Sequence, residues 1–197
     1  MSRRSSDALK WATVWPLLLA ALAAATLAAA SAATPGARAA GVPCGESTAA
    51  PGELTLHQMR TSVLCLINRV RVHYGLDPLD YNLDLRTSAT RHSVSMVVND
   101  YFAHEGPGGS MDSRISRAGY LGGARDFVIG EDIGGGRGGR WASPMGVFEA
   151  WMQSPPHREN ILDPSFRDAG VGVARGFPFG GGSGAATYTV DFGARHG

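Results

Sequence analysis

Three stretches of the chain carry side chains able to do chemistry: His104 in "YFAHEGPGGS", Glu131 in "IGEDIGGG" and His157 in "SPPHREN". Each lies against glycine or proline, where a chain leaves regular structure. Two imidazoles and a carboxylate brought from separate elements to one point are what a divalent cation such as zinc requires. A general acid/base pair requires the same. The separations of 27 and 26 residues do not themselves bring the groups together, so the fold has to. Ser154, three residues before His157, invites a serine–histidine nucleophile, but it lies outside a G-x-S-x-G turn and no acidic orienter stands at a telling spacing. It reads more simply as the N-cap of a helix that opens with Pro155 and Pro156, whose missing N–H groups would be orphans anyway. Of the other histidines, His57, His73 and His92 fall on predicted helices, His92 on an apolar face as a hydrogen-bonded core residue, and His196 in a terminal tail. The stretch "GGGRGG" (134–139) matches G-x-G-x-x-G without a βαβ unit around it. It reads as a rim loop where Arg137 and Arg140 are placed to meet an anionic ligand.

The elements that must position these groups follow from periodicity. Leu56, Met59, Val63, Ile67 and Val70 recur at three- and four-residue spacing, predicting a helix over 54–74 with Gly75 at its end. "DPLDYN" reads as a turn, and Asn82 caps a second helix with Leu85, Ala89, His92, Met96 and Val97 on one face. A third helix spans about 111–118. "FVIGEDI" is a short strand, and Ser143-Pro144 opens a fourth helix through Val147, Phe148, Trp151 and Met152. "AGVGVARG" and "ATYTVDFG" close the chain as a β hairpin across a glycine-rich connection. Without βαβ alternation, this order predicts an α+β fold, a small antiparallel sheet flanked by helices. The expected core is Trp151, Phe148, Ile67, Val63 and Met96 from three helices, with Val171, Val173, Tyr188 and Val190 from the hairpin.

Residues 1–40 read as an export signal: Arg3, Arg4 and Lys10 precede an apolar run over 11–33, and Ala30-Ser31-Ala32 and Ala37-Arg38-Ala39 offer cleavage sites. A secreted, extracellular protein is expected. Contact with a membrane would come only through that segment left uncleaved, since residues 11–33, a run of 23 positions, are long enough to span a bilayer. Residues 41–52 form a linker and 53–197 the domain. Removing Arg3, Arg4, Lys10, Arg38 and Asp7 with the signal leaves 14 basic residues against 16 acidic. A near-neutral domain lacks the field that holds a polyanion, so nucleic acid is excluded as a natural partner and a monomer is expected. Cys44 and Cys65 are the only thiols in the chain. Export places them in an oxidising compartment, which predicts a disulfide anchoring the linker to the first helix.

"LINRVRVHYGLDPLDYNLDL", "YFAH", "GEDI", "AWMQSPPHRENIL", "AGVGVA" and "YTVDFG" together resemble the successive signature blocks of the bacterial secreted, SCP-like branch of the CAP superfamily. That superfamily covers cysteine-rich secretory proteins, antigen 5 and pathogenesis-related 1 proteins, and the resemblance runs from about Glu53 to Gly193. It implies an α-β-α sandwich with a cleft lined by two histidines and two acidic residues, holding a divalent cation such as zinc. Carried over, the histidines are His104 and His157 and the first acid is Glu131. The second acidic position is Ser154, and Asp132 stands where the family usually has Asn. Glu149 is no substitute, lying two residues before Trp151 and off the Trp151/Ser154 face. The resemblance implies a binding module for an extracellular lipid, glycan or protein. A metal-dependent hydrolase with Glu131 as base, and a structural exoprotein without a ligand, are the alternatives.

Overall fold

The structure, a computed structural model, describes residues 43–180, 182 and 184–197. The predicted export segment and its expected cleavage sites lie outside the described residues. Among the described residues no helix is long and apolar enough to cross a membrane.

Helix α1 (Leu56–His73) begins at Thr55, whose hydroxyl accepts from the Gln58 N–H while Gln58 Oε1 accepts from the Thr55 N–H, a reciprocal capping box. Helix α2 (Leu83–Val98) is capped by Asn82, whose Oδ1 accepts from the Asp84 and Leu85 N–H groups. Helix α3 (Met111–Ala118) stops at Gly119 in the left-handed region, and α4 (Pro144–Gln153) starts on Ser143, whose Oγ accepts from Gly146 N–H. A further helix, α5 (Pro155–Leu162), follows at once with prolines in its first positions, as its sequence predicts.

The strands are β1 (Asp80–Tyr81), β2 (Asp126–Gly136), β3 (Asp168–Arg175) and β4 (Ala186–His196), in the spatial order β1-β3-β4-β2. β2, β4 and β3 are antiparallel, while β1 runs parallel to β3, so the sheet is mixed. Three local expectations change here. "DPLDYN" is not only a turn: Asp80 and Tyr81 lie beside Asp168 and Ala169 as an edge strand too short for periodicity to reveal. Gly134–Gly136 belong to β2 rather than to a rim loop, paired with Tyr188, Thr187 and Ala186. His196 is the last residue of β4, opposite Asp126, rather than a tail.

The sheet separates two helical layers. Leu54, Met59, Val63, Ile67, Val147 and Trp151 pack with Val171, Val173, Tyr188 and Val190 on the α1/α4/α5 side, with Phe148 only partly buried at the margin. Met96 is fully buried but belongs to α2, and a smaller cluster of Leu85, Ile115 and Tyr120 lies with α2 and α3 on the other face. Glycine explains how closely α2 approaches. A Cβ on Gly170 would lie 2.0 Å from Arg86 N, and one on Gly172 would lie 2.1 Å from the Ala89 carbonyl carbon. The alternation in "AGVGVA" therefore points glycine at the α2 backbone and valine into the main core. Cys44 and Cys65 form the expected disulfide, with a Cα–Cα distance of 5.5 Å.

Candidate functional site

The site is organised around β2, the strand at the open edge of the sheet. Alternation sends the Glu131 side chain to the α2/α3 face and that of Asp132 to the α4/α5 face. The outward main chain of this edge is capped by side chains. Ile133 C=O accepts from Trp151 Nε1 at 2.8 Å, and Glu131 C=O accepts from Asn160 Nδ2 at 3.3 Å. An edge capped in this way is closed to further strand pairing at those positions.

Glu131 is buried, and both its oxygens are engaged. His104 Nδ1 donates to Oε1 at 2.9 Å, and Arg114 of α3 donates to Oε2. His92 Nε2 stands 3.8 Å from the same Oε1 and donates to Ala103 C=O at 3.0 Å, pinning the loop that carries His104. The other guanidinium nitrogen of Arg114 donates to His104 C=O (2.7 Å) and Gly109 C=O (2.8 Å), holding that loop from its other side. Burial alone would raise the Glu131 pKa. The hydrogen bond from His104 and the charges of His92 and Arg114 outweigh it and hold the carboxyl below the ordinary glutamate range. In return, the hydrogen bond to Glu131 raises the His104 pKa, while burial lowers that of His92.

His157 sits on the other side of the same edge, in the first turn of α5. Its Nδ1 shares a 2.7 Å hydrogen bond with Ser154 Oγ. Ser154 holds the N-cap position, yet its hydroxyl makes no cap bond: Pro156 at the second position has no N–H to offer, and the oxygen pairs with the ring of the third residue, His157, instead of with its N–H. Burial, and after it the charge of His104, lowers the His157 pKa, so the two rings are near enough to feel each other. His157, Ser154, Phe102, Trp141 and the glycines 134 and 135 line a cleft of about 260 Å3.

The structure thus joins His104 to Glu131 directly and sets His157 with Ser154 across the β2 edge. Among the described residues no three His, Cys, Asp or Glu side chains form a metal-ligating cluster. Arg137 donates to the carbonyls of Pro178 and Phe179, and Arg140 stands 3.8 Å from Glu149, so each already has a protein partner. The sequence reading missed Arg114. Its signal was present, since Arg114 lies three residues after Met111 and beside Ile115, on the inward stripe of a short helix where a lone arginine needs a buried partner.

Residues 64–191, well over half of the chain, match the family model of the cysteine-rich secretory protein family, CAP. Two curated relatives from Bacillus subtilis are similar: the uncharacterized protein YkwD, 34% identical over 128 residues (64% of this chain and 46% of that one), and the uncharacterized membrane protein YlbC, 31% identical over 115 residues (57% and 31%). The chain therefore spans less than half the length of the curated relatives it matches. Among solved structures, an extracellular protein containing an SCP domain from Bacillus anthracis is 25% identical, with a TM-score of 0.54 over 71% of this chain and 43% of that one. An outer surface protein of Borrelia burgdorferi (19% identical, TM-score 0.57, 68% of this chain and 90% of that one) shares the fold. So does a cysteine-rich secretory protein of Staphylococcus aureus (16%, 0.51, 70% and 39%).

Proposed function

Because the chain belongs to the CAP family, we propose that it is an exported binding module whose cleft holds a divalent cation such as zinc between His104 and His157 and presents it to an extracellular ligand. One observation carries this reading. Both imidazoles have Nδ1 tied to a protein oxygen, Glu131 for His104 and Ser154 for His157, while neither Nε2 has a partner among the described residues. A histidine that ligates a metal through one nitrogen characteristically anchors the other to such a group, which fixes the tautomer. Glu131 then orients His104 and raises its basicity, because its oxygens are committed to His104 and Arg114. With Ser154 at the second acidic position, the remaining ligands are water, which suits a loosely held ion. The bound ion would act as a Lewis acid toward an oxygen of the ligand. Export is supported by the apolar leader and by the extracellular and outer-surface descriptions of the structural relatives.

The test is isothermal titration of the chain with zinc at pH 7.5, alongside His104→Ala, His157→Ala and Ser154→Glu. Wild type should bind one equivalent, each alanine variant should lose most of the affinity, and Ser154→Glu should tighten it. A wild type that binds no divalent ion, or alanine variants that bind as wild type does, would sink the reading. Fractionation of cells expressing the full chain tests export, and retention of the unprocessed chain in the cytoplasm would refute it.

A further inference from the structure

A second site lies at the opposite edge of the sheet from the cleft. β1 ends at Tyr81 while β3 runs on to Arg175, so beyond Ala169 the edge of β3 has no strand beside it. Ala169 C=O accepts from Asn82 N–H at 2.9 Å, which marks Ala169 as a residue whose peptide groups point outward. By the two-residue alternation of a strand, Val171 points its own N–H and C=O to the same bare edge. A cavity of about 330 Å3 opens there between α1 and α2, walled by Leu64, Val171 and Tyr81 and rimmed by Arg60, Arg86 and His57.

The charges of this cavity are not balanced. No aspartate or glutamate lines it. Among the described residues neither guanidinium makes a side-chain hydrogen bond or an ion pair, in contrast to Arg71, Arg114 and Arg175, whose terminal guanidinium nitrogens donate to carbonyls or to the Glu131 carboxylate. Both arginines are half-buried, and burial, followed by the charge of Arg86, presses the Arg60 pKa down. Two like charges held together in a partly desolvated place carry a cost that an anion would remove.

We propose that this cavity binds a small amphipathic anion: a carboxylate or similar oxyanion forked by Arg60 and Arg86, on a compact apolar body that covers Leu64, Val171 and Tyr81. Guanidinium groups match planar oxyanions two bonds at a time, and the bare Val171 peptide offers a further donor. The volume falls at the small end of ligand cavities, which selects a compact ligand over a long chain. The site is independent of the cleft beside His157, since the two flank opposite edge strands.

Isothermal titration of the full chain with 1-naphthoate tests this, with 1-naphthamide and inorganic phosphate as the neutral and the non-apolar probes. Naphthoate should bind with one saturating equivalent, and Arg60→Gln or Arg86→Gln should each raise Kd about tenfold. The amide and phosphate should each bind at least about tenfold more weakly than naphthoate to wild type. The proposal is overturned by absence of saturable naphthoate binding, by a folded Arg60→Gln/Arg86→Gln chain that binds undiminished, or by amide or phosphate binding as tightly as naphthoate. The two probe comparisons use wild type alone, so they decide the matter even if the variants fold poorly.

Discussion

Arg114 closes on Glu131 from the helix below it, and the two form a buried ion pair, their side chains 5% and 1% exposed. Removing one partner of such a pair leaves a charge stranded in the interior. Arg114→Met should lower the unfolding free energy at pH 7 by about 3–5 kcal/mol. Adding Glu131→Leu should recover part of that loss. Urea denaturation of the four chains measures the coupling, and strictly additive losses would show that the pair does not act as a unit.

The histidines should titrate apart. Glu131 raises the His104 pKa, whereas burial and the His104 charge lower that of His157. Because the folded-state pKa of His104 is raised, the stabilisation from its charged form is fully present below the unfolded value of about 6.5 and lost as pH rises through the folded value. Ring proton shifts followed by NMR should show His157 deprotonating first. Glu131→Gln should bring His104 down toward the ordinary value; an unchanged His104 titration would disprove the pairing.

Asp132 is a stability liability at neutral pH. Burial pushes its pKa up to about 7, although Asn160 donates to Oδ1 at 2.8 Å, and Oδ2 is buried without a partner. A raised carboxyl binds more protons folded than unfolded, so stability falls as pH rises from about 4 to about 7 and is flat above that. Asp132→Asn keeps the acceptor for Asn160 and removes the charge. It should raise stability at pH 7.5 by roughly 1–3 kcal/mol and erase that slope. Denaturation midpoints at pH 4.5, 6 and 7.5 check it, and parallel curves for the two chains would refute it.

Trp151 does two jobs, filling the main core at 2% exposure and capping Ile133 C=O. Trp151→Ala should cost about 3–5 kcal/mol through lost contacts and the cavity left behind. Trp151→Phe should cost less, yet it should speed hydrogen exchange in the 133–136 segment because the edge carbonyl loses its donor. Exchange followed by mass spectrometry reads this, and protection equal to wild type would show that the indole bond is dispensable.

Breaking the Cys44–Cys65 bond should lower stability by about 3 kcal/mol in the chain-entropy account, for a loop closed across 21 residues. Thermal melts of wild type and Cys44→Ser/Cys65→Ser provide the comparison, and coincident melts would mean the linker contributes nothing.

The sequence made the helices legible because their caps and apolar stripes are local: Thr55 with Gln58, Asn82, and Ser143 with Pro144 each fix a start within four residues. The valines of β3 were legible for the same reason. β1 was not, because two residues carry no period, and its existence depends on Asp168 and Ala169 nearly ninety positions away. At the site, residue type identified His104, Glu131 and His157. Ser154 is legible beside His157 as the residue that starts its helix, whereas Arg114 depends on which stripe a short helix turns inward. The open charges of Arg60 and Arg86 could be recognised only once the absence of neighbouring acids was visible in space.

The glycines under α2 make that helix a gauge of register. With the correct pairing, Gly170 and Gly172 lie beneath the helix backbone, where a Cβ would come within 2.0 and 2.1 Å of main-chain atoms. A slip of β3 by one residue would turn Val171 and Val173 toward the helix instead, and α2 could not seat. The docked α2 is therefore compatible with one register of β3 and excludes its one-residue neighbours.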